Sequence, residues 1–289
     1  MKNNIKNTDL IINSDGSVYH LHLKPEDVAE TIILVGDPGR VSMVSECFDE
    51  VVLIKSHREF VTHTGWLNNK KLTVISTGIG TDNTEIVMIE LDALFNINLS
   101  SYSLKEKPVA LDFIRLGTSG AIQNNVPIGS IVLTQFAIGL ESIFGFYKWP
   151  ESLEMNKLAE EFRLHCRIKA PCYAFEASGK LSQKFQDYIV GATLTLPGFY
   201  APQGRQLRYK LGINETLEKY RNFEFNKITL TNLEMETAAI YAFASLLGHQ
   251  AISFNAILAN RITDEFHPSP DEVVKEMIKK VLKKITQND

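Results

Sequence analysis

Three glycine-rich stretches follow apolar runs in this chain: Gly36-Asp37-Pro38-Gly39-Arg40, Thr77-Gly78-Ile79-Gly80 and Gly117-Thr118-Ser119-Gly120. Glycine lets backbone N–H groups approach an anion closely. Arg40 in the first stretch and Arg115 just before the third add planar, permanently charged forks that fit an oxyanion. None has the G-x-G-x-x-G or G-x-x-x-x-G-K-[ST] spacing, which argues against the usual dinucleotide and triphosphate sites. Each alone reads as an ordinary tight turn. Together with the two arginines they point to one small oxyanion site.

Two further strings carry chemistry. Glu234-Met235-Glu236 reads as the start of a helix. Its acids either complement the helix dipole or accept hydrogen bonds from sugar hydroxyls while methionine packs under the ring. Phe199-Tyr200-Ala201-Pro202-Gln203-Gly204-Arg205 places an aromatic, an amide and a guanidinium in one loop. It is either a structural loop or a set that stacks on a planar ring and bonds its polar edge.

These strings need a frame, and the apolar pattern supplies one. Thr31 to Val35 reads as a buried strand, followed by helical spacing from Arg40 to Phe48. Val51 to Ile54 and Glu59 to Leu67 read as strands, and Asn68-Asn69 as a hairpin turn into Lys71 to Ser76. Asn83 to Phe95 has helical spacing. Ala110 to Leu116, Ser130 to Leu133, Tyr188 to Leu196 and Ala251 to Leu258 read as strands. Trp149 to His165 and Glu234 to Leu247 read as helices, the second closed by Gly248. Ser269-Pro270-Asp271-Glu272 reads as a capping box. The stripe Val274, Met277, Ile278, Val281, Leu282, Ile285 follows it, with five lysines mostly on the solvated side. This alternation predicts an α/β fold, and ligands in α/β sheets bind beyond the carboxyl ends of strands.

The chain has 289 residues, 44% of them hydrophobic and 22% charged, so it can bury a full core. No Pro-, Gly- or Ser-rich linker divides it, which predicts one domain over residues 1–289. Residues 1–18 read as an N-terminal extension and 99–109 as a surface insertion. The net charge of −4 argues against a nucleic-acid partner. No run approaches a membrane span, and the polar N-terminus lacks a signal-peptide core, so a cytoplasmic location is expected. Cys47, Cys166 and Cys172 form no C-x-x-C pair and read as reduced thiols. His22, His63, His165, His249 and His267 read as surface or turn residues. No histidine pair has the spacing of a helical metal site.

In order, Gly36-Asp37-Pro38-x-Arg40, Ser56-His57-Arg58-Glu59-Phe60, Ser76-Thr77-Gly78-Ile79-Gly80, Arg115 to Gln123 (RLGTSGAIQ) and Glu234-Met235-Glu236 resemble the nucleoside phosphorylase family. The resemblance runs from about Tyr19 to the last helix. It implies one three-layer α/β domain with a central mixed, partly barrel-like sheet flanked by helices. It implies nucleoside and phosphate substrates, and a homodimer or a hexamer built as a trimer of dimers, with shared active sites. Phosphate is then held by Gly36, Arg40, Arg115 and Thr118, with Arg58 from a partner chain. Ribose meets Met235 and Glu236, with the partner's His20 near the 5′-hydroxyl. The base meets Thr118, Gly120, Phe199, Gln203 and Arg205. Arg115, Gln203, Arg205 and Glu236 carry the catalysis.

The base loop is similar to that of the uridine-cleaving branch, which implies phosphorolysis of uridine to uracil and ribose 1-phosphate. Leu258-Ala259-Asn260-Arg261 points the same way, since an Asn at 260 cannot protonate a purine as the Asp of purine-specific relatives does. The open alternatives are a phosphorylase for another nucleoside and a silent nucleoside-binding protein. The resemblance implies no organic cofactor. It leaves room for a monovalent cation near Glu59, Ile79 and Asn83, although Asn83 departs from the family's Ser. Residues 207–230 read as a flap or a surface helix. The aromatic run Phe144 to Trp149 reads as shaping the base pocket or blocking a subunit contact.

Overall fold

Thr31–Val35 (β1) is buried at all five positions, as befits a strand covered on both faces. The computed structural model describes residues 5–150, 152–185 and 187–287. After β1 come Pro38–Ser45 (α1), Glu50–His57 (β2), Phe60–Leu67 (β3) and Lys70–Ser76 (β4). Asn68 and Asn69 join β3 to β4 at φ of 51° and 62°, the backbone of a type I′ hairpin turn. Thr81–Asn96 (α2) leads into a small hairpin, Ile97–Asn98 (β5) with Ser103–Leu104 (β6), within which most of the expected insertion falls. Asp112–Ala121 (β7), Ile131–Gly139 (β8), Leu153–Cys166 (α3), Tyr173–Glu176 (β9) and Gly179–Ser182 (α4) follow. Then come Ile189–Thr195 (β10), Thr216–Arg221 (α5), Glu224–Phe225 (β11) and Ile228–Glu234 (β12). Thr237–Leu247 (α6), Gln250–Asn260 (β13), Glu265–Phe266 (β14) and Pro270–Thr286 (α7) complete the fold.

The main sheet runs β11-β12-β10-β8-β13-β7-β1-β4-β3-β2, and β12 also pairs with β7. That extra pairing closes β7, β13, β8, β10 and β12 into a five-stranded ring, with parallel and antiparallel neighbours. The sheet is therefore mixed and partly a barrel, as expected for one α/β domain. Helix α6, almost wholly buried, packs with α2 on one side of the sheet. The apolar stripe of α7 packs with α1 residues Val41 and Val44 in a separate cluster.

Several local expectations change. The stretch 117–120 is not a turn: β7 continues through it to Ala121. Glu234 ends β12 rather than opening a helix, and α6 starts at Thr237. Residues 207–230 are neither a flap nor one surface helix, since they hold α5, β11 and the start of the barrel strand β12. Tyr220 anchors them, its hydroxyl donating to Pro202 O at 3.0 Å. Ser269 makes no side-chain cap; its N–H donates to His267 Nδ1 at 3.1 Å. His249 is buried, accepting the Leu111 N–H at Nδ1, with Nε2 3.2 Å from Asp92. Phe144 stacks on Trp149 at 4.9 Å and Trp149 meets Phe243 of α6 at 5.2 Å, so these rings pack on the core rather than line the cavity, while Phe146 stays exposed.

Candidate active site

The C-terminal ends of β1, β4, β10 and β12 open onto one cavity of about 780 Å3, where an open α/β sheet binds ligands. Gly36, Arg40, Arg115 and Thr118 line one part of it. Arg40 sits in the first turn of α1, whose N-cap Asp37 accepts from Gly39 N–H at 2.9 Å. Its Nη1 donates to Leu116 O at 3.2 Å. Burial, and then the like charge of Arg115, push the Arg40 pKa below its ordinary value. Two guanidiniums facing one space favour an anion between them.

Arg115 is buried and pairs with two carboxylates. Its Nη2 lies 2.5 Å from Glu236 Oε2 and 2.9 Å from Glu234 Oε2, while Nη1 donates to Asn255 Oδ1 at 2.9 Å. Burial works against its charge, but Glu234 and Glu236 outweigh it and raise the pKa. Burial pushes the Glu236 carboxyl upward, against the pull of Arg115. Glu236 Oε1 accepts from Gly80 N–H at 2.8 Å, so one N–H of the second glycine stretch is spent on this carboxylate, while Gly78 lines the cavity. Glu234 accepts from the N–H groups of Glu236 and Thr237 at 3.0 and 2.9 Å, and so caps α6 from the strand before it.

At the other end, the loop after β10 brings Phe199, Gln203 and Arg205 to the cavity wall beside Gly120. Arg205 stacks 3.7 Å from the Phe199 ring centre, and its Nη1 donates to Gln203 Oε1 at 2.6 Å. The ring face expected to carry a base is therefore covered by a guanidinium. Burial and the neighbouring Arg261 push Arg205 down to about 10. Arg261 was missed as a site residue; its Nη1 donates to Gln203 O at 3.1 Å. Asn260 does not face the cavity. Its side chain is buried, donating to the carbonyls of Gln123 and Val126 and capping the turn at Ile262 and Thr263. A side chain at 260 is therefore not placed to reach a base in the cavity, whichever residue stands there.

Met235 and Glu236 line the same cavity, as do Glu59, Ile79 and Asn83. A Cβ on Gly78 (φ +71°) would lie 2.5 Å from Asn83 Nδ2 and 3.3 Å from Glu59 Cγ, so these groups crowd together. One carboxylate, one amide and one carbonyl are fewer oxygens than the six or so a hard cation takes. A single chain does not complete such a site.

Arg58 and His20 do not line the cavity of their own chain. His20 Nδ1 lies 2.5 Å from Glu90 Oε1, and His57 Nδ1 2.8 Å from His20 O. Arg58 sits at the β2–β3 turn, 5.7 Å from the Tyr19 ring centre. Ser119, named above only within the third glycine stretch, also stands on the cavity wall, as does the exposed Phe266, which nothing in the sequence announced. Asn255 had a signal, being a lone amide in the apolar run of β13.

The family model of the phosphorylase superfamily matches residues 30–287. Uridine phosphorylase of Thermococcus kodakarensis is 34% identical over 255 residues, covering 87% of this chain and 80% of that protein. Uridine phosphorylase of Escherichia coli is 29% identical over 261 residues, covering 87% and 89%. A Trypanosoma brucei nucleoside phosphorylase, whose crystal structure is described as showing uridine phosphorylase activity, superposes with a TM-score of 0.88. It is 29% identical and covers 96% of this chain and 99% of its own.

Proposed function

Because the chain belongs to the phosphorylase superfamily, we propose that it catalyses the reversible phosphorolysis of uridine to uracil and ribose 1-phosphate, as a pentosyltransferase of nucleoside salvage. One observation carries this reading. A single cavity holds two guanidiniums at one end, two carboxylates beside them, and an amide with a guanidinium at the other. Uridine phosphorylases among its relatives support the choice of nucleoside.

In this reading phosphate lies between Arg40 and Arg115, with Gly36 and Thr118 beside it. Glu236, already fixed by Arg115 and Gly80, accepts from ribose hydroxyls, and Met235 packs against the sugar. The base takes the place now held by Arg205 on Phe199 and bonds to Gln203 and Arg205. As the C1′–N1 bond stretches, the ribose gains positive charge and the uracil negative charge. Gln203 and Arg205 stabilise the leaving uracil anion by oriented hydrogen bonds. Phosphate stabilises the oxocarbenium-like sugar and then forms the C1′–O bond. Holding both substrates in line supplies much of the remaining rate. No step here needs an organic cofactor or a cation.

The functional unit in this reading is a cytoplasmic homodimer or hexamer. Arg58 and His20 stand outside their own cavity and serve a neighbour's. A panel of uridine, thymidine, inosine and adenosine, each with and without phosphate, tests the reaction. Phosphate-dependent loss of uridine is the expected result. Faster cleavage of inosine, base release without phosphate, or intact uridine beside folded protein would each overturn it.

A further inference from the structure

A chain of hydrogen-bonded side chains runs around the inside of the five-stranded ring, one strand at a time. Arg115 Nη1 (β7) donates to Asn255 Oδ1 (β13) at 2.9 Å, and Asn255 Nδ2 donates to Thr134 Oγ1 (β8) at 3.1 Å. The Thr134 and Thr193 hydroxyls (β8 and β10) stand 2.6 Å apart. Thr193 Oγ1 donates to Asn232 Oδ1 (β12) at 3.0 Å, and Asn232 Nδ2 donates to Ser119 Oγ (β7) at 3.0 Å. The chain thus returns to the strand it left, four residues further on. Thr134, Thr193, Asn232 and Asn255 are 0% exposed, whereas Arg115 and Ser119 line the cavity.

Counting protons gives the chain a direction. Thr193 Oγ1 donates to Asn232 Oδ1, which can only accept and also takes the Thr231 hydroxyl at 2.7 Å. Thr134 must then donate to Thr193, and it is free to do so because it accepts from Asn255. Ser119 accepts from Asn232 and keeps its own hydrogen for the cavity. Every link points from Arg115 toward Ser119, and bonds aligned in this way polarise one another. Buried polar side chains cost desolvation that an apolar barrel filling would avoid. Bulk stability therefore does not explain the arrangement, whereas fixing the aim of a guanidinium does.

We propose that Asn255 is a positioning residue for Arg115, itself held by Thr134, and that this chain sets how the guanidinium meets an anion in the cavity. Glu234 and Glu236 both hold Nη2. Asn255 is the one partner of Nη1 among the described residues. Without it the group is pinned on one nitrogen and free to turn. The inference rests on the proposed reading of the Arg40–Arg115 end as the phosphate subsite.

The test titrates inorganic phosphate calorimetrically into the full chain and measures uridine phosphorolysis in parallel. Asn255→Ala weakens phosphate binding and raises the phosphate KM about tenfold, the scale of one charge-assisted hydrogen bond, with uridine KM within about twofold. Thr134→Val touches neither Arg115 nor the cavity, and shifts the phosphate values the same way by about threefold. It also carries the test if Asn255→Ala does not fold. Unchanged phosphate affinity in both folded variants, or equal rises in both KM values, overturns the proposal. Wild-type protein that binds phosphate but leaves uridine intact removes the uridine reading, and calorimetry alone then decides this one. Wild-type protein that binds no phosphate overturns both.

Discussion

The guanidinium of Arg115 lies folded over Gly117, so close that a Cβ on the glycine would stand 1.7 Å from Nη1 and 2.5 Å from Cζ. The two residues are two apart on β7 and so point to the same face. The glycine gives the arginine room to lie along its own strand and reach Glu236. Gly117→Ala must push the guanidinium off both Glu236 and Asn255. We expect kcat/KM for phosphate to fall about 100-fold, near 2.7 kcal/mol of transition-state stabilisation. Steady-state kinetics beside thermal unfolding checks this. Wild-type kcat/KM in the folded variant would detach Arg115 from the reaction.

That relationship also shows where the sequence was legible. Gly117 and Gly120 read as turn punctuation because glycine usually is. Here the first leaves room for a folded arginine, a Cβ on the second would meet Arg261 Cγ at an ordinary 3.6 Å, and the strand runs through both. Only a long-range contact distinguishes the two cases. Elements decided by their own apolar pattern, the continuous run of β1 and the stripe of α7, fell where expected. Boundaries at the site did not: Glu234 serves β12 by its backbone and α6 by its carboxylate, so local propensity had no single answer. His20 and Glu90 are seventy residues apart, and nothing near either announces their pairing.

The base end makes a selective prediction. Gln203 Oε1 and the Phe199 ring both hold Arg205 in place. Gln203→Ala removes an amide from the base wall and leaves Arg40 and Arg115 untouched. We expect kcat/KM for uridine to fall about 100-fold while phosphate affinity stays within about twofold. A substrate panel with phosphate calorimetry reads both. An unchanged uridine rate, or an equal loss of phosphate binding, would remove Gln203 from base recognition.

A buried acid predicts how stability varies with pH. Glu141 follows β8; one carboxylate oxygen accepts from the Tyr173 hydroxyl, and Oε1 has no hydrogen-bond partner among the described residues. Burial pushes this carboxyl up to about 7, against the lowering effect of Tyr173. Its folded pKa therefore lies above the unfolded one, and the native state binds the extra proton between them. Stability falls as pH rises from about 4.5 to about 7 on this account, by roughly 3 kcal/mol at most. Glu141→Gln should flatten that decline, melting higher than wild type at pH 8 and close to it at pH 4.5. Parallel melting curves for the two proteins across this range would refute the assignment.

Arg58 and His20 lead to the last prediction. Glu90 receives the backbone N–H groups of His20 and Leu21 as well as the His20 ring, so that segment is held rigidly. His57 stacks on His22 at 3.8 Å and bonds to the His20 carbonyl, which ties the β2–β3 turn to the same segment. The result is an ordered surface carrying Arg58 and His20, neither of which lines the cavity of its own chain. Beside it, edge strand β2 exposes Val52 and Ile54, which is costly unless something covers them. If that surface completes a neighbour's cavity, Arg58→Ala and Glu236→Gln each abolish activity through different chains. Co-expressed in equal amounts they form mixed pairs holding one fully intact site, and about a quarter of wild-type activity should return. Activity no greater than the sum of the two separate variants would place Arg58 outside the neighbour's site and leave each cavity to its own chain.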